Sequence, residues 1–184
     1  MKHKLLIIIL SIFSITACNK SLVDDVYKHT SDNNKDSLTA FIVLSNIYLS
    51  EDDIKKIEKD YKNETNKNRK YYYEYLLAKR TQEKKYISAF INSSKDHIDI
   101  LIENNSNWIS IGSPVYKQLA YYSKTNDDAL NVLFKLITIS DGANLSIVAE
   151  DLFELKKINQ ERFSIAAQRA GVREVEIDDL IEDE

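Results

Sequence analysis

His97 stands between Asp96 and Asp99, and a histidine beside carboxylates is a residue set that can hold a metal ion or orient a general base. On a helix, however, positions i−1 and i+2 do not face one another, and His29 sits far off in a polar stretch near the front of the chain. His97 therefore reads as a solvated or capping side chain on a helix flank, with no metal site expected. Cys18 is the only cysteine, which removes any disulfide. The three glycines are scattered, so no glycine-rich loop can cradle a phosphate. Any two of the 29 acidic residues could meet as a glycosidase-type pair, but the sequence singles out none. The chain is expected to be non-catalytic and to need no cofactor; a hydrolase with a carboxylate-based site is the alternative left open.

The front of the chain is more specific. Lys2 and Lys4 make a basic end, Leu5 to Ile15 is almost wholly apolar, and Ile15-Thr16-Ala17-Cys18 closes it with small residues before the cysteine. A helix of eleven or so residues is about 16 Å long, too short for a hydrocarbon core of about 30 Å, so the run reads as an export signal rather than a membrane span. Its ending resembles the lipobox of bacterial lipoproteins. That resemblance implies a diacylglycerol on the Cys18 thiol, cleavage after Ala17 and acylation of the new amino group. The competing reading is an ordinary secretory peptide that happens to stop next to a cysteine. Two or three acyl chains make a durable anchor, each buried methylene contributing about 0.8 kcal/mol. Residue 19 is Asn and not Asp. In enteric-type lipoproteins Asp there marks inner-membrane retention, so the resemblance leans toward the outer membrane, facing the periplasm.

The chain carries a formal net charge of −4, and loss of Lys2 and Lys4 with the signal makes the exported part more acidic. Neutralising phosphates takes clustered Lys or Arg, so nucleic acid is excluded as a partner, and an extended contact with anionic lipid headgroups is disfavoured. A basic protein partner suits this charge. Three glycines and one proline are too few for the closely spaced turns of a strand-rich fold, so helices are the default. The organisation expected is a signal over 1–17, a flexible tether over 18–36, one all-α domain over 37–172 and an acidic tail over 173–184.

Within that domain helices must position whatever does the work. Leu38, Phe41, Ile42 and Leu49 predict a helix from Asp36 or Ser37 to about Leu49. Ser50 before Glu51-Asp52-Asp53 predicts an N-cap and a helix to Asn63 with Ile54, Ile57 and Tyr61 inward. Over Lys67 to Arg80, Tyr73, Leu76 and Leu77 share one face while Tyr71 and Tyr75 point nearly opposite. Either this helix is sandwiched between neighbours, or Tyr71 and Tyr75 are presented to a partner. Ile87, Phe90, Ile91, Ile98 and Leu101 fit one long helix or two joined near Ser93-Ser94. Trp108 lies in an Asn-rich break, either plugging the end of the core or serving as a docking residue.

From Ser113-Pro114 onward the punctuation is regular. A helix to about Lys124 puts Val115, Leu119, Ala120 and Tyr122 inward; Asn126-Asp127-Asp128 caps the next, where Leu130, Leu133, Phe134 and Ile137 face the core. Asp141-Gly142 is expected to end it, with Gly142 in the left-handed C′ position. Leu145, Val148, Leu152 and Leu155 line a third helix. Asn159 opens a fourth with Phe163, Ala166, Ala167 and Ala170, and Gly171 stops it. Short turns between such helices make antiparallel hairpins. The run Asp127 to Arg169 weakly resembles HEAT-type or TPR-type helical repeats, without their strict period; the fold expected is all-α, either an irregular solenoid-like stack or a compact bundle. The last stretch, Glu174 to Glu184, is a short docked helix or a frayed tail, and Glu174, Glu176, Asp178 and Asp179 are its candidate partner-binding residues.

These readings converge on a lipid-anchored envelope protein that binds another protein through its surface. Two uses compete: an immunity or inhibitor protein against a basic periplasmic effector, and a scaffolding lipoprotein of an envelope complex.

Overall fold

Helix signals in the sequence translate directly into helices. The computed structural model describes residues 22–32, 34–102, 114–140 and 142–182, and among these the chain is all-α, with no strand. They divide after Glu83 into two compact units.

The first unit contains α1 (22–28), a 3-10 turn His29–Ser31, α2 (Asn34–Asn46), α3 (Glu51–Asn63) and α4 (Lys67–Thr81). Helix α3 opens with a full capping box: Ser50 Oγ accepts from the Asp53 amide while the Asp53 carboxylate accepts from the Ser50 amide. Asn66 caps α4 by accepting from Arg69 N–H, 3.0 Å. Helix α4 ends on Gln82 in the left-handed conformation, φ 55°, and its side-chain amide donates to the carbonyls of Ala78 and Lys79, satisfying oxygens that the end of the helix leaves over.

Helix α4 packs against α2 on one side and α3 on another, and Tyr71 to Ala78 is buried without interruption. Tyr71 and Tyr75 are 1% and 0% exposed, so their assignment as partner-binding residues is corrected: both belong to the core. The physical reason is that α2 and α3 cover the two faces that the tyrosines divide between them. The ring of Phe41 meets Tyr73 edge-on at 4.6 Å, and the Tyr75 hydroxyl lies 2.9 Å from Ser45 Oγ, a partner that lets a phenol enter a dry interior.

The described part of the stretch read as a tether holds one short helix, built on Val23, Val26 and Tyr27. Residues 22–28 are helical, Val23 is buried, and the Tyr27 hydroxyl donates to Asp60 Oδ2 of α3 at 2.5 Å. Val23, Val26 and Tyr27 supply enough apolar surface to dock one short helix, and the polar residues between them face outward.

The second unit holds α5 (Lys84–Ser94), α6 (Ile98–Ile102), α7 (Pro114–Ser123), α8 (Asp127–Ile137), α9 (Gly142–Ile158), α10 (Gln160–Ala170) and α11 (Glu174–Glu182). The stretch read as one helix or two is two: Ser94 is buried and turns its hydroxyl back onto the Phe90 carbonyl, 2.8 Å, at the break. Helix α8 packs against α5, α7, α9 and α10, and α9 against α8, α10 and α11. Helices α8 and α9 thus each meet the next helix in sequence and the one after it. Leu130, Leu133, Phe134 and Ile137 of α8 are all buried, with Phe134 against Phe163 at 5.1 Å between ring centroids.

The ends of these helices are partly as expected. Asn126 and Asn159 cap α8 and α10, and Gly171 closes α10 at φ 71°, where a side chain would be strained. Gly142 is a correction: α8 ends at Ile137 with Thr138 still right-handed, and Gly142 is the first residue of α9 rather than the C′ residue of α8. Ala170 is exposed, one step past the buried stripe.

Candidate functional site

The second unit presents its most distinctive surface between α7 and α9. Tyr116 of α7 is 1% exposed, and its hydroxyl donates to Asp151 Oδ2 of α9 at 2.6 Å. Burial foremost, then the Asp151 carboxylate, drives the phenol pKa far above its ordinary value of 10, so the proton stays on the tyrosine. The bond fixes the spacing of the two helices and forms the back of a groove of about 490 Å³.

Helical spacing decides what lines that groove. On α7 and the turn after it, Lys117, Tyr121 and Lys124 follow i, i+4, i+7 and form one rim. On α9, Glu150, Glu154 and Ile158 follow i, i+4, i+8 and form the other, with Ile147 and Leu155 between. Tyr121 is 58% exposed and Ile158 59%, large apolar groups left in water on a chain that buries most others. Glu154 pairs with Lys157 at 2.7 Å, and Glu150 is exposed. The groove is therefore apolar along its length, cationic on one rim and anionic on the other.

A smaller cavity of about 260 Å³ lies between α8 and α10. Arg162 beside it pairs through Nε with the Asp127 carboxylate and donates from Nη1 to the Lys124 carbonyl, 3.0 Å. These bonds tie the start of α10 to the start of α8, so this arginine clamps the stack. Its Nη2 is buried with no hydrogen-bond partner among the described residues.

The candidates named from sequence fare differently. Of the four candidate acidic residues of α11, Glu174 and Asp178 both meet Lys156 of α9, at 3.4 and 2.8 Å, and Glu176 meets Arg173 at 2.6 Å; Asp179 is exposed. Ile177 between them is fully buried, and α11 packs on α9. Over its described part the stretch is the docked helix of the two forms considered: Glu174 and Asp178 hold it to Lys156 of α9, while Glu176 pairs with Arg173 just before it. Tyr71 and Tyr75 lie in the first unit's core. Cys18 and Trp108 lie outside the described residues.

His97 Nδ1–H donates to the Ser93 carbonyl at 2.8 Å, a hydrogen bond at the end of α5. Among the described residues no group of three His, Cys, Asp or Glu is close enough to hold a metal ion, and no helix is long and apolar enough to cross a membrane. Glu74, 5% exposed, accepts from the Tyr61 hydroxyl at 3.2 Å.

The groove itself was legible only in fragments. Tyr121 falls outside the inward set of α7, which marks it as surface, but nothing in the spacing says that an exposed isoleucine stands opposite. Ile158 continues the Leu152, Leu155 stripe and is exposed because α9 ends there. The chain matches no protein-family model, no curated protein and no solved structure.

Proposed function

We propose that this is a lipid-anchored envelope protein that acts as a non-catalytic protein-binding module, of the immunity or inhibitor kind, directed at a basic periplasmic effector. The observation that carries the reading is the α7–α9 groove: exposed Tyr121 and Ile158 beside Glu150 and Glu154, on a rigidly packed helical stack. Apolar groups in water favour association, and the carboxylates favour a cationic partner by steering and complementarity. The net charge of −4, spread over a chain with 29 acidic residues, acts in the same direction. The anchor rests on the lipobox-like Ile15-Thr16-Ala17-Cys18, which would keep the module at the membrane where an incoming effector passes.

Deletion and capture test this together. Loss of the protein should sensitise the cell to one effector, and the purified chain should bind that effector at one-to-one stoichiometry with an affinity that falls as salt rises. A cell that loses an envelope complex instead, with no sensitivity to any effector, would assign the protein to scaffolding.

A further inference from the structure

We infer that the α7–α9 groove receives an amphipathic helix of the partner protein, seated apolar face down with its basic flank along Glu150 and Glu154 and its acidic flank along Lys117 and Lys124. The inference rests on the binding-module reading above and adds the form of the ligand. Three features of the groove specify it. Apolar side chains line both of its sides, Ala120 and Tyr121 from α7 and Ile147, Leu155 and Ile158 from α9, which offers contacts to a stripe of anchors at i, i+3, i+4 and i+7. The groove runs between two helices pinned by the Tyr116–Asp151 bond, so its width is preset and little ordering is required on binding. Its rims carry opposite charge, Lys117 and Lys124 on one side and Glu150 and Glu154 on the other.

That opposition has a definite consequence. An extended strand alternates its side chains between two faces and cannot align one sign of charge along each rim while keeping a single apolar face down. A helix does so naturally, because its flanks lie on either side of the apolar stripe. Reversing a helix end for end exchanges its flanks, so the two rims also select the direction in which it lies. The partner segment is thus defined by an apolar stripe, a basic edge and an acidic edge.

A synthetic helical peptide of about five turns tests this, with leucines on one stripe, lysines along one flank and glutamates along the other, labelled with fluorescein and followed by anisotropy. It should bind the full chain. Ile158→Glu should weaken it about tenfold or more, and so should Lys117→Glu with Lys124→Glu, which makes both rims acidic. Adding Glu150→Lys and Glu154→Lys to that double variant restores opposite rims and should restore affinity, with the peptide lying the other way round as read by energy transfer from its ends. All of these positions are exposed, and circular dichroism verifies that each variant stays folded. A change under about twofold in either weakened variant, or no recovery in the four-site variant, would overturn the inference.

The same Ile158→Glu chain separates this inference from the one beneath it. An effector captured by the parent chain and lost by Ile158→Glu supports both. An effector captured equally by the two leaves the binding-module reading in place and overturns the groove. Charge-dependent peptide binding with no effector in the envelope supports the groove and overturns the immunity role.

Discussion

Tyr116 shows how much one side chain does in this protein. It fills the space between α7 and α9 and places its hydroxyl on Asp151, and removing only that oxygen should be felt. Tyr116→Phe is expected to lower stability by about 1 to 2 kcal/mol in urea unfolding, because the buried bond is lost while the ring still fills its place. An unchanged midpoint would mean that the bond contributes nothing. The tyrosines of α4 teach a different lesson. Their spacing already said that Tyr71 and Tyr75 lie opposite Tyr73, Leu76 and Leu77; what it could not say was how many neighbours α4 has. Periodicity reports the angle at which a side chain leaves its own helix, and coverage is a property of the other helices. The same limit explains why Ile158 continues an inward stripe and yet meets solvent.

At the level of elements, α8 is the centre of the second unit, touching four other helices through Leu133 and Phe134 among others. Leu133→Ala or Phe134→Ala should cost about 2 to 5 kcal/mol by denaturant unfolding, and a loss under half a kcal/mol would show that this face is not packed as described. Helix α11 depends on fewer contacts: Ile177 in its socket and Lys156 between Glu174 and Asp178. The Glu174 carboxyl is held below its ordinary 4.5, the Ser164 hydroxyl foremost with Gln160 and Lys156 assisting, and the Asp178 hydrogen bond foremost raises Lys156 above its ordinary 10.5. A lowered acid stabilises the folded form above its ordinary value and stops doing so as pH falls through the folded value; a raised base does the reverse at the alkaline end. Amide protection of α11 should therefore fade first when the pH drops below 4.5, and Lys156→Met should produce the same loss at neutral pH. Equal protection of α11 in that variant would remove the ion pairs from the account of its docking.

Helix starts were the most legible features, because Ser50, Asn126 and Asn159 each accept from a backbone amide two or three places on, a local bond that needs no tertiary partner. Gly142 was misplaced for the complementary reason. A glycine tolerates both the left-handed end of one helix and the first turn of the next, and α8 ends at Ile137 with Thr138 still right-handed.

For the whole molecule, two helical units follow the segment on whose apolar run and Cys18 the proposed lipid anchor rests, and the function proposed needs both location and surface. Cys18→Ala should leave the protein unprocessed or released from the membrane fraction, while a cleaved and unlipidated product that stays with the membrane would remove the anchor. The fold class could be read from composition because so few turn formers leave little but helix. Division into units could not, since it depends on which buried faces meet within each unit. The partner decides the rest. Crosslinking in the native envelope, followed by capture through the full chain, should recover one basic protein in a salt-sensitive one-to-one complex. Recovery of the chain alone at low salt, with no crosslinked protein, would contradict a role carried out by its surface.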